Sequence, residues 1–123
     1  MQYLRKLDLP ALALAAPDER ITQILVEAAT GAQNISVQVV RLPAGGESPA
    51  GRHKHVYEKV FYVVSGTMAV EIDGAELSAG PGSLVVVPQG VPHRNWNAGK
   101  EACVNLVFMS PNPDFSKPLG IPV

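Results

Sequence analysis

Three histidines, His53, His55 and His93, are the residues of this chain best suited to chemistry. His53 and His55 are separated by one residue. On a strand, residues i and i+2 point to the same side, roughly 6.6 Å apart along the backbone. Two imidazoles so placed can converge on one metal ion lying about 2 Å from each nitrogen. His93 opens a second strand-like segment just after a Pro-x-Gly turn. By the same alternation Tyr57, Lys59 and Phe61 share the face of His53 and His55, and Glu58 lies on the other face. A lone His-x-His also fits ordinary surface or capping histidines, so these residues alone leave metal binding as one of two readings.

The spacing around them carries more. Residues 82 to 97 contain Gly82, Pro88, Gly90, His93 and Asn97 in the arrangement G-x5-P-x-G-x2-H-x3-N. This resembles the second motif of the cupin superfamily at all five positions. His53, His55, Lys59 and Gly66 resemble the first motif, H-x-H-x3-E-x6-G, with Lys59 standing where the family has a metal-binding glutamate. Gly46, the opening glycine of that motif, is one position out of register. The resemblance covers about residues 34–109. It implies an all-β fold, a double-stranded β-helix or jelly-roll barrel, with an N-terminal arm and an extended C-terminal tail. It also implies a divalent metal ion (Fe, Mn, Ni, Zn or Cu) on His53, His55 and His93. Glu58 joins that set only if a β-bulge shifts the register by one.

Lys59 is then expected to point into the barrel. A buried ammonium must pair, titrate or reach solvent. Three roles follow: a neighbour of a three-histidine metal site, a general acid/base or Schiff-base nucleophile, or the partner of a carboxylate such as Glu58. Tyr57 shares the inward parity and is a candidate hydrogen-bond donor to substrate. Arg52 and Arg94 flank the histidines on the opposite parity and are expected in solvent. Trp96 is expected to pack outside the barrel, and Met68, Cys103 and Met109 in its core.

The elements that must position these residues are short strands. Apolar alternation and turn residues predict strands over 21–27, 34–42, 59–65, 67–73, 75–78, 83–87, 93–97 and 102–109. Ile35, Val37 and Val39 share one face of the second of these. A loop rich in Gly and Pro fills 43–52, and a possible helix over 10–16 is limited by Pro17. The tail 110–123 has four prolines and no periodicity, and is expected to run along the surface. The strand around Val60–Val64 is apolar on both parities, so both of its faces should be covered, one by a second layer or a second subunit; a homodimer is the economical expectation.

Composition bounds the rest. The 123 residues suit a single domain, 46% hydrophobic and 17% charged, as in an ordinary globular protein. A formal net charge of −1 without a basic cluster argues against nucleic acid as a partner. No apolar stretch reaches the roughly 20 residues of a membrane span. Arg5 and Lys6 before the apolar segment 9–16 loosely imitate an export signal, but the segment is short, and a cytoplasmic location is the expectation. Cys103 is the only cysteine, so no internal disulfide is possible.

Three functions remain open. The first is an enzyme using a three-histidine metal site on a small oxygen-rich or anionic metabolite, by dioxygenase, isomerase, cyclase or lyase chemistry. The second is a metal-independent enzyme working through Lys59 and histidine. The third is a non-catalytic small-molecule binding module.

Overall fold

The computed structural model describes residues 3–47 and 51–123, and among them strands dominate. In chain order these are β1 (Ile21–Val26), β2 (Ser36–Leu42), β3 (His53–Lys54), β4 (Glu58–Ser65), β5 (Met68–Ile72), β6 (Ala75–Ala79), β7 (Leu84–Val87), β8 (His93–Trp96), β9 (Cys103–Ser110) and β10 (Ile121–Pro122). A short α-helix, α1 (Leu9–Ala13), is capped by Asp8, whose carboxylate accepts from the Ala11 N–H. The strands form two antiparallel five-stranded sheets, ordered β1-β2-β9-β4-β7 and β10-β3-β8-β5-β6.

Strict alternation assigns the faces. Lys59, Phe61 and Val63 of β4 point inward with Val85 and Val87 of β7 and Cys103, Val107 and Met109 of β9. They meet Met68 and Val70 of β5, so the core is a buried apolar layer between two sheets. Cys103 is a buried free thiol, as expected. Gly66 begins the return from β4 to β5 at φ +76, and an added Cβ would lie 2.5 Å from the Ala102 carbonyl oxygen. Only glycine fits that crossing. Asn97 closes the turn after β8: its amide donates to the carbonyls of Leu42 and Glu101, and its oxygen accepts from the Gly99 N–H.

Each predicted strand occurs, with ends shifted by no more than two residues. Three features add to that reading or depart from it. The face of β2 carrying Val37 and Val39 is the outer one. Val39 is nonetheless fully buried, and beside it Arg41 donates to the carbonyls of Ala16 and Glu19, which holds the N-terminal arm against this side of the sheet.

The C-terminal tail does not lie loosely on the surface. Phe115 and Leu119 pack against the core, and β10 pairs with β3 (Ile121 opposite Lys54, Pro122 opposite His53). Its four prolines removed the periodicity by which a strand is recognised, while its apolar side chains and the free edge of β3 supplied the reason to dock.

The outer face of β4 and β7 is open within one chain. Tyr62, Val64, Leu84 and Val86 are 37%, 47%, 66% and 59% exposed, so nothing among the described residues covers the second apolar face of β4. The loop expected over 43–52 is irregular apart from one bridge between Glu47 and Trp96, and its residues 48–50 lie outside the described residues. Among the described residues no helix is long and apolar enough to cross a membrane.

Candidate metal centre

The three histidines meet because two short strands pair. His53 opens β3 and His93 opens β8, and the two are direct cross-strand neighbours with both rings turned inward. His55 lies one residue past β3, where its carbonyl accepts from the Gly90 N–H and so ties it to the turn before His93. Ring centroids lie 4.3 Å (His53–His93), 4.8 Å (His53–His55) and 4.9 Å (His55–His93) apart. One ligating nitrogen from each ring lies within 4.8 Å of the others.

Their hydrogen bonds define which nitrogen is available. The Nδ1 of His53 bonds the Gly51 carbonyl (3.2 Å), that of His55 the Leu119 carbonyl (2.7 Å) and that of His93 the Val91 carbonyl (3.0 Å). A carbonyl only accepts, so each Nδ1 carries the proton, and each neutral ring is left with a bare lone pair on Nε2. All three Nε2 atoms are buried without a hydrogen-bond partner among the described residues. Three unsatisfied acceptors at one spot are costly as they stand, and a divalent cation satisfies all of them at once.

Electrostatics favour the same tautomers. Burial lowers the pKa of His55 to about 3, helped by the nearby Lys59 charge, and that of His93 to about 4. Burial also lowers that of His53, against the opposing hydrogen bond to Gly51. The rings are therefore neutral near pH 7, as a metal ligand must be.

Lys59 does point inward, is 7% exposed, and sits with its Nζ 4.8 Å from the centroid of the Phe61 ring. Burial, with the Arg20 charge adding to it, pulls its pKa down to about 8. Glu58 is exposed on the outer face. The β4–β9 register runs regularly from Glu58 to Val63, so no bulge turns Glu58 toward the histidines. Tyr57 stacks on His55 at 4.6 Å and donates to the Leu119 carbonyl at 3.4 Å, and burial pushes its phenol pKa up. Arg52 and Arg94 form ion pairs with Glu71 (2.5 Å) and Glu47 (2.6 Å), and Arg94 lies over the Trp96 ring.

A pocket of about 460 Å³ opens beside the histidines. Its walls include Arg20, Gln38, His53, His55 and Lys59, with Leu119 and Gly120 of the tail. Lys59 and Gln38 also border a void of about 20 Å³ deeper in the barrel, shared with Asn95 and Asn105. Asn95 Oδ1 and Asn105 Nδ2 are buried without partners among the described residues. Sequence reasoning passed over Gln38 and Asn105. Their signal was present, since each is a polar residue at an inward position of an otherwise apolar strand.

Residues 38–109 match the family described as Cupin domain. A protein of Streptomyces coelicolor described as uncharacterised is 32% identical over 97 residues, covering 79% of this chain and 86% of its own. Among solved structures, an RmlC-like cupin family protein with a double-stranded β-helix fold from Methanocaldococcus jannaschii superposes with a TM-score of 0.73. The identity is 17%, over 92% of this chain and 94% of that one. The polyketide cyclase RemF from Streptomyces resistomycificus superposes with a TM-score of 0.67 at 24% identity, over 78% of this chain and 68% of that one. At such identities the likeness shows the fold, not the reaction.

Proposed function

This chain belongs to the cupin family, and from that premise we propose that it is a metal-dependent enzyme acting on a small oxygen-rich or anionic metabolite. His53, His55 and His93 hold one divalent ion through their Nε2 atoms. The observation that carries this reading is the trio of buried, unpartnered Nε2 atoms whose Nδ1 partners are all backbone carbonyls. Bound there, the ion supplies Lewis-acid chemistry or, if it is Fe, Mn, Ni or Cu, redox chemistry. The reaction is of the dioxygenase, isomerase, cyclase or lyase type; one structural neighbour is a polyketide cyclase.

The chain's own residues do the rest. The Gly51, Val91 and Leu119 carbonyls orient the rings. Tyr57 braces His55 through stacking and shares the Leu119 carbonyl with it. The tail excludes water from one side of the pocket, and Lys59 presents an ammonium or, above its pKa of about 8, a free amine to whatever enters. The open outer face of β4 and β7 is proposed as a homodimer contact.

The test is metal content by plasma mass spectrometry on untagged protein, beside a His53→Ala/His55→Ala variant. About one equivalent in the parent and none in the variant is the expected result. A parent that takes up no Fe, Mn, Ni or Zn on incubation sinks the metal reading. It would move the chemistry to Lys59, whose lowered pKa suits it to acid/base or Schiff-base work.

A further inference from the structure

Lys59 is a poor residue for stability alone where it stands. Its ammonium is enclosed between Phe61 and the barrel wall, and among the described residues no carboxylate pairs with it. The charge that acts on it is another cation, Arg20, on the wall of the same pocket. No Asp or Glu of the described residues lines that pocket. A divalent ion on the three histidines adds positive charge to the same enclosed space, and a buried, uncompensated charge is among the most costly features a fold can carry. A ligand bringing negative charge relieves both centres together. The Gln38 side chain, beside Lys59 on the pocket wall, adds a neutral amide suited to a second hydrogen bond.

We propose that the pocket binds a carboxylate-bearing small molecule, with the carboxylate on Lys59 Nζ and the rest of the molecule extending toward the three histidines. This deepens the reading given above by naming the class of substrate, and it rests on that reading only for the reacting end. The group at the family's glutamate position is then turned from metal ligand to substrate anchor: a negative first-motif residue that would neutralise the ion is replaced by a positive one that recruits the compensating charge with the substrate.

Titration calorimetry with malonate, and with its uncharged diamide as control, tests this on both zinc-loaded and chelator-treated protein. Malonate is expected to bind the parent saturably and the diamide not to. Lys59→Met and Lys59→Gln are expected to weaken malonate by about tenfold or more, the size of a lost charge-assisted hydrogen bond. Both variants should keep the parent's zinc content and melt no lower than the parent, which shows that they fold. Malonate binding that is absent, matched by the diamide, or unchanged in both variants overturns the proposal. Malonate binding lost in His53→Ala/His55→Ala but kept in Lys59→Met also overturns it, because the carboxylate then sits on the metal, and the metal reading stands. Lys59-dependent binding that persists in chelator-treated protein upholds the anchor even if no native metal is found.

Discussion

The chemistry of this protein is concentrated in a few side chains that are expensive to bury. Among the described residues, three imidazoles have their Nε2 lone pairs unsatisfied, and an ammonium on the same pocket has no carboxylate partner. The histidines make stability depend on pH in a definite direction. Their folded pKa values lie below the unfolded value near 6.5, at about 3 for His55 and about 4 for His93. Below pH 6.5 the unfolded chain therefore binds protons that the folded chain refuses. Stability contributed by the neutral rings is full above that pH and is lost as pH falls from 6.5 toward 3. Urea midpoints of chelator-treated protein at about pH 7.5 and pH 5 should show it, with a larger drop for the parent than for His55→Ala/His93→Ala. Equal drops would mean that the rings are already protonated or exposed in the folded state.

At the scale of elements, the site depends on the tail as much as on the barrel strands. β10 pairs with β3, the Leu119 carbonyl accepts from His55 Nδ1 and so orients that ring, and Gly120 passes directly against His53. A Cβ at position 120 would lie 3.2 Å from Cβ, Cγ and Cδ2 of His53. Gly120→Ala should push the tail or the ring by a few tenths of an ångström. We expect metal affinity to fall by about tenfold, the lower end for a lost outer-shell partner, with little change in melting temperature. Competition against a chromogenic chelator measures it. An unchanged affinity would show that the tail is a cover and takes no part in orienting the ligands.

For the whole molecule, the two ends of the β1-β2-β9-β4-β7 sheet differ in how fully one chain covers them. The arm protects the β1–β2 side of the first sheet, through Arg41 and the carbonyls of Ala16 and Glu19. The β4–β7 side keeps four large apolar side chains in water. Clustered exposure of this kind marks a contact surface. The homodimer proposal predicts a mass near twice 13.0 kDa by light scattering, shifting to the monomer in Leu84→Lys/Val86→Lys. A parent that is monomeric at high concentration removes it.

Much of this was legible in the residue order, for a physical reason: strand alternation and turn chemistry are local. The period-two pattern placed Lys59 inward and Glu58 outward, and the spacing from Gly82 to Asn97 located His93 and its turn. Tertiary structure alone decided what depends on distant partners. It paired His53 with His93 across two strands, and it brought a proline-broken tail, without periodicity of its own, back against the histidines. It also set Arg20 opposite Lys59 rather than a carboxylate. Those contacts join residues dozens of positions apart. They follow from packing and edge satisfaction in the assembled barrel, which no short stretch of sequence encodes.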